Sequence, residues 1–383
     1  MSSLSSFHAG SQEINASKSA FFAGGFILST WAPMIPYIKQ NLSIEPAVLG
    51  LLLLTIGLSA FLSMPLTGIL TRYFGCQKVV SLSTAVMMLS VLALPWLPSL
   101  SWYFLFLFVL GASMGALDVG MNLNSVVVER VSGKRTLSGV HAFWSVGCFA
   151  GAGLFTLLAE LGCTIAWIAF FHSLLIGTIS CYFYRFLLPF HGDSGQKPLA
   201  FPRGIILILG IMMCLSYLAE GAIMDWSGVL LTEAKDISLE KAGIGFTSYS
   251  AAMLTMRLIG DPIVQKAGEK AVILIGSLIG AAGFLSVTLA EGLPSLIFCF
   301  LMIGIGLSNV IPAFYAILAK QKDMPMDAAV TALTSMGYSG IILGPSLLGF
   351  LAQHFGILSI YWLLFILLAA QTLGTWKYIK NPK

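Results

Sequence analysis

Leu49-Gly-Leu-Leu-Leu-Leu-Thr-Ile-Gly-Leu-Ser-Ala-Phe-Leu-Ser-Met-Pro-Leu-Thr-Gly-Ile-Leu70 carries no ionisable side chain, and Arg72 stands just past its end. An α-helix rises 1.5 Å per residue, so about 20 apolar residues cross the hydrocarbon of a bilayer. A barrel strand would need only about 10 residues, with apolar and polar positions alternating. This stretch does not alternate, and it reads as a helix crossing a membrane.

The same pattern recurs along the chain. Apolar runs of spanning length lie at roughly 18–38, 48–71, 79–97, 102–127, 137–159, 164–187, 204–231, 242–265, 270–290, 294–319, 327–352 and 357–378, which makes twelve. Of the 383 residues, 57% are hydrophobic and only 9% charged. A soluble domain carries about 25% charged residues. A soluble enzyme, a nucleic-acid binder and a disordered chain are therefore excluded. The expected fold class is an all-α membrane protein with twelve transmembrane helices, its partners a lipid bilayer and no nucleic acid.

Lys and Arg bias the orientation of such helices. With the N-terminus inside, the inner segments hold 16 of them, from Lys18, Arg72 and Lys78 to Lys377, Lys380 and Lys383. The outer loops hold 3, namely Lys39, Lys235 and Lys241, and Arg257 lies inside a span. Both termini are thus expected in the cytoplasm, in a multi-pass protein of the cell inner (plasma) membrane. The first 17 residues are polar and lack the apolar stretch of a cleavable signal, so the first span is expected to direct insertion. The polar stretch from His191 to Pro198, continued to Pro202 and Arg203, divides the chain. The expected organisation is an N-terminal tail over 1–17, a six-helix bundle over 18–188, a cytoplasmic linker over 189–203 and a second six-helix bundle over 204–379.

The halves resemble each other at an offset of 191–195 residues. Trp31 matches Trp226, and Gly75 matches Gly268. Gly115-Ala-Leu-Asp118-Val119 matches Gly306-Leu-Ser-Asn309-Val310, and Trp144-Ser145 matches Tyr338-Ser339. Parallel repeats of six spans imply two bundles related by an axis along the membrane normal, with a substrate site at their interface.

At this point the chain resembles the major facilitator superfamily of transporters, over essentially its whole length. The superfamily's loop after the second span usually reads G-x-L-x-D-R-x-G-R-[KR]. Here it stands as Gly68-Ile-Leu70-Thr-Arg72-Tyr-Phe-Gly75-Cys-Gln-Lys78, with the acid replaced by Arg72 and the central Arg by Tyr73. Trp31-Ala-Pro-Met-Ile-Pro36, Leu117-Asp-Val-Gly-Met-Asn122, Ser138-Gly-Val-His-Ala-Phe-Trp144 and Ala219-Glu-Gly-Ala-Ile-Met-Asp-Trp-Ser227 are similar to the YbjJ-like branch, distantly related to the fucose–proton symporters. The span-4 Arg motif of many drug–proton antiporters is missing, and the span-5 glycine–proline motif is incomplete. The resemblance implies a monomer that binds a small-molecule substrate and works by alternating access.

An ionisable side chain at bilayer depth costs about 2.5–3.5 kcal/mol or more, so each asks for a reason. Asp118 is matched in the second half by Asn309, nearly the same shape without the charge. A hydrogen-bonding role needs only Asn, whereas a proton carrier needs the carboxylate. Asp118 is the expected proton-coupling residue, with Glu220 of span 7 as the second. Asn122 lies one turn from Asp118 on the same face. Asp225 sits five residues beyond Glu220, where a gating or structural acid is expected near the membrane surface. Arg257 and Asp261 have the i, i+4 spacing of an ion pair. Arg72 and Glu129 lie at inner helix ends, where a second pair is expected across spans 2 and 4. His141 and His172 are expected to be hydrogen-bonded or packed.

Trp31, Trp144, Tyr249 and Tyr338 fall on spans that line the substrate cavity in the resembled superfamily. With Asn122 and Asn309 they form the expected substrate-binding set, in which rings stack on a polar ring and amides bind its hydroxyls. Trp226 and Trp102 are expected in the interfacial aromatic belt. The six cysteines show no CxxC and no His at metal spacing, and neither metal nor cofactor is expected. No GxSxG and no P-loop occurs, so an enzyme is not expected. The reading is a secondary transporter, proton-coupled and importing a small polar solute such as a sugar. The alternative is a proton-driven exporter of amphipathic or hydrophobic compounds.

Overall fold

The computed structural model describes residues 9–134, 136–191, 202–321 and 326–379, and among them there is no strand. The chain forms two compact units. The first is Met1–Ser43 with Leu52–Gly195, and the second is Ile44–Leu51 with Gln196–Lys383. Most of the expected linker lies outside the described residues.

The first unit contains α1 (Ser11–Leu42), most of α2 (Pro46–Phe74), α3 (Cys76–Ala93), α4 (Leu100–Ser132), α5 (Leu137–Glu160) and α6 (Ile165–Phe183). Helix α1 starts at Ser11, earlier than the polar composition of residues 1–17 suggests. The Glu13 carboxylate accepts from the Gly10 N–H at 2.7 Å and closes the first turn. This helix is the centre of the unit: 89% of its most apolar stretch is buried, against 22% for α6. Its main partner is α5. The two backbones touch, because a Cβ on Gly147 would collide with the Phe22 carbonyl and one on Gly151 with the Phe26 carbonyl. Lipid tails are as apolar as leucine, so close packing of this kind replaces the hydrophobic drive between helices. Gly111 and Gly115 of α4 approach the Ile56 and Ala60 carbonyls of α2 in the same way.

The second unit contains α7 (Ile205–Glu233), α8 (Ile244–Leu258), α9 (Gly260–Ala267), α10 (Glu269–Leu289), α11 (Leu293–Leu307), α12 (Val310–Leu318), α13 (Met326–Phe355) and α14 (Leu358–Tyr378). Here α7 packs mainly on α13, and α10 on α14 and α11. Spans 1 and 5 pair as spans 7 and 11 do, so the sequence repeat is also a packing repeat. Leu62, Leu82, Leu278, Leu347 and Phe350 are among many large apolar side chains left exposed. On a protein in water such a surface would be a liability, whereas a bilayer accommodates it.

Among the described residues, eleven stretches are long and apolar enough to cross a membrane. The expected eighth span, 242–265, is two helices, α8 and α9, broken at Ile259. Pro262 explains the break. It has no N–H to offer the Leu258 carbonyl four residues back, and its ring crowds that carbonyl. The tenth span breaks at Ser308-Asn309 between α11 and α12, four residues before Pro312.

The matched glycines of the repeat also share a backbone. Gly75 has φ 81 and ψ 152, and Gly268 has φ 80 and ψ 155. Only glycine occupies this region without strain. A Cβ on Gly268 would meet nothing within 4 Å, so a substitution there reads backbone strain alone. Gly268→Ala is expected to destabilise by about 1–3 kcal/mol, seen as a lower unfolding midpoint of the purified protein in detergent. An unchanged midpoint contradicts the turn geometry.

Candidate functional site

In the first unit the polar groups gather on α4. The Asn122 amide donates from Nδ2 to the Asp118 carbonyl oxygen at 2.8 Å and to its carboxylate Oδ1 at 3.2 Å. The one-turn spacing thus becomes a direct contact. Trp144 of α5 lies against α1 where Gly24 leaves room for its ring, beside Leu117. The residue preceding Asp118 is therefore in the same contact zone as Trp144. Trp31 is fully buried, with no partner for its indole N–H among the described residues. His172 is also buried, hydrogen-bonded through Nδ1 to the Thr30 hydroxyl at 2.8 Å and boxed by Phe26 and Phe155. His141 is exposed and stands edge-on to Phe21.

Glu129 caps a helix. Its Oε2 accepts from the backbone N–H of Thr136 at 2.6 Å and of Leu137 at 2.9 Å, at the start of α5. Arg72 is exposed at the end of α2, and no ion pair of Arg72 occurs among the described residues. An acid at a helix N-terminus satisfies donors that have no partner within the helix. This use of Glu129 differs from the expected bridge to Arg72.

In the second unit the two helix breaks meet. Arg257, at the end of α8, donates from Nε to the Ser308 carbonyl at 3.4 Å. That is the carbonyl Pro312 leaves without a helical partner. In return Asn309 donates from Nδ2 to the Met256 carbonyl at 3.1 Å, and also to the Ser308 hydroxyl at 3.1 Å. Gly260 permits the approach, since a Cβ there would strike the Asn309 side chain. Asn309 is thus a buried stitch between the eighth and tenth spans, where the sequence suggested a ligand contact. The Asp261 side chain, and with it the expected Arg257–Asp261 pair, lies outside the described ones.

The charge on Arg257 also acts on Glu220 of α7. Glu220 Oε1 is buried without a hydrogen-bond partner among the described residues. Tyr217, one turn earlier on α7, stacks on Tyr338 of α13 with ring centres 5.8 Å apart and an interplanar angle of 28°. Composition alone did not single out Tyr217; its i, i+3 relation to Glu220 was the available signal. Tyr249 is buried, stacked on Phe246, with its hydroxyl directed to Met253 Sδ at 3.7 Å. Asp225 and Trp226 are both buried in the unit. Trp226, fully enclosed, is a core residue and not part of an interfacial belt; Trp102 is exposed as a belt residue would be. Among the described residues no cluster of His, Cys, Asp or Glu could hold a metal ion.

Two six-span halves with one packing scheme, carrying polar groups on broken and unbroken spans, define a polytopic helical carrier. The chain belongs to the Major Facilitator Superfamily, whose family model matches residues 19–209 and 209–383. An uncharacterized MFS-type transporter of Yersinia pestis is 37% identical over 344 residues, covering 90% of this chain and 89% of that protein. The membrane protein MosC of Rhizobium meliloti is 27% identical over 344 residues, covering 88% and 83%. Among solved structures, the nucleoside transporter NupG shares the fold with a TM-score of 0.75 at 12% identity, covering 96% of this chain and 99% of that one. The human organic anion transporter TETRAN does so with a TM-score of 0.65 at 14% identity, covering 95% and 99%. The chain is a multi-pass membrane transporter.

The stitch at the breaks can be tested directly. Asn309→Ala leaves the Met256 carbonyl unpaired in a buried place, and is expected to cost about 1–3 kcal/mol. Asn309→Asp keeps the shape but turns an acceptor toward a carbonyl, and is expected to cost more. Unfolding midpoints in detergent rank the variants; equal stability of all three proteins removes the stitch.

Proposed function

We propose that the chain is a proton-coupled secondary transporter that takes up a small polar solute by alternating access. The observation that carries the reading is Glu220: a carboxylate inside a span, under the charge of Arg257, with one oxygen buried and unpartnered. Protonation of Glu220 removes its charge beside Arg257. The symport reading requires that this neutralisation raise the affinity of the site for solute, and reciprocity then has solute raise the affinity for the proton by the same factor.

Asp118 is the second coupling residue in this reading. Its counterpart Asn309 uses its amide as a donor to a carbonyl, a job no carboxylate can do. Asp118 instead receives the Asn122 amide, and the Asp118–Asn122 pair and the Trp144 ring are the groups this reading assigns to solute in the first half. Tyr338, stacked on Tyr217, offers the equivalent aromatic surface in the second half. Aromatic faces beside amides and acids suit a sugar or another hydroxylated ring. Placement in the YbjJ-like branch, cytoplasmic termini and action as a monomer in the inner membrane complete the proposal. A proton-driven exporter of amphipathic compounds is the competing reading.

Purified protein is first unfolded thermally against sugars, nucleosides, amino acids and lipophilic cations. A ligand at 100 times its Kd stabilises by about 2.7 kcal/mol, a readable shift. Proteoliposomes then measure uptake of the hit with and without an inward proton gradient. Glu220→Gln is expected to abolish accumulation above equilibrium while retaining exchange of solute, and Asp118→Asn to reduce it at least tenfold. Accumulation at the wild-type rate in both variants refutes the assignment. Stabilisation by lipophilic cations alone would favour the exporter.

A further inference from the structure

At the end of the second unit where α14 terminates, a groove of about 290 Å³ is lined by basic and apolar side chains, among them Ile205, Lys270, Ile317, Lys320 and Tyr378. Lys320 pairs with Glu269 at 2.6 Å, and the Lys270 ammonium donates to the Trp376 carbonyl at 3.1 Å. An ammonium has three donors. These contacts occupy one on each lysine and leave the others to a ligand.

The first half shows what the structure alone requires at this place. Gln77 is the repeat counterpart of Lys270, two residues after the matched glycine in each half. Its Nε2 donates to the Tyr184 and Arg185 carbonyls at the end of the sixth span, at 3.0 and 3.2 Å. Lys270 reaches the end of the twelfth span in the same manner. Tying the ninth span to the twelfth therefore needs a donor and not a charge. The charge on Lys270 is in excess of the structural task, while Lys320 across the groove is paired with Glu269.

The surroundings indicate which anion the charge meets. Helices α7 and α14, which contribute Ile205 and Tyr378 to the groove, pack together, and both carry large exposed apolar side chains: Leu207 and Ile211 on α7, Leu373 on α14. Trp376 and Tyr378 are exposed at the end of α14, the position at which Trp and Tyr sit among headgroups. A soluble anion has no use for that apolar wall, whereas an acyl chain has. We propose that this groove binds the phosphate headgroup of an anionic phospholipid, with its acyl chains along the α7–α14 face. The lipid would brace the ends of four spans, through Ile205, Glu269–Lys270, Ile317–Gln321 and Tyr378.

The test uses the full chain in neutral detergent, with phosphatidylglycerol or phosphatidylcholine added and binding followed by native mass spectrometry and by the unfolding midpoint. Wild type is expected to retain phosphatidylglycerol in preference and to gain stability from it. Lys270→Gln copies the residue of the first half and so keeps the tie to α14. It is expected to weaken phosphatidylglycerol binding roughly fivefold, and Lys270→Gln with Lys320→Gln roughly 25-fold, from the worth of a basic residue near an anionic surface. Lys78→Gln, on the first unit, controls for overall charge and is expected to change nothing. Undiminished selectivity in the double variant overturns the proposal, as does an equal loss in Lys78→Gln. Stabilisation by inorganic phosphate at the same concentration, abolished by Lys270→Gln, would reassign the groove to a soluble anion and overturn the lipid.

Discussion

A peptide carbonyl that loses its helical partner inside a bilayer has no water to turn to, and must be satisfied from within the protein. The second unit rests on how it meets that requirement. Pro312 leaves the Ser308 carbonyl open, and Arg257 fills it from the neighbouring span. Asn309, freed by the same interruption, returns a donor to Met256 at the other break. Each broken helix is repaired by a side chain that the other break exposes. Gly260 lets the strands of this stitch close, because any Cβ there would block the Asn309 amide.

The functional geometry follows from that repair. Fixing the guanidinium of Arg257 at the carbonyl of Ser308 places a positive charge within reach of α7, where Glu220 lies. The two charges sit on different elements and not along one helix. A pair along one helix moves as a rigid body with it. Two charges on α7 and at the end of α8 respond to any change in how those spans meet.

Much of the fold could be read from the chain because its signals are local and strong. Apolar length separates spans, and glycine pairs such as Gly147 and Gly151 mark where backbones touch. The repeated Gly75 and Gly268 turns agree to within a few degrees in φ and ψ. The breaks were legible too, in Gly260-Asp-Pro262 and in Asn309-Val-Ile-Pro312, but hydropathy passes over prolines without registering the lost donor. Contacts between elements were less legible. Spacing suggested Arg72 with Glu129, yet Glu129 accepts two backbone N–H groups at the start of α5. Trp226, placed at a span end by its sequence, is fully buried. Sequence spacing reports which face a residue shares, and not what comes to meet it.

The two halves keep one scaffold and differ in where they carry charge. Asn309 and Asp118 occupy matched places, as do Lys270 and Gln77. In each pair the neutral member makes bonds that hold spans together: Asn309 to Met256, and Gln77 to Tyr184 and Arg185. The neutral members show that the scaffold does not need the charge, so the charged members answer to something else. The same reasoning bears on Glu220. A buried acceptor without a donor costs about 1–3 kcal/mol, and a glutamine would fill the same space without a charge to desolvate. Glu220 therefore stands with Asp118 and Lys270, as a charge that the packing of its span does not require.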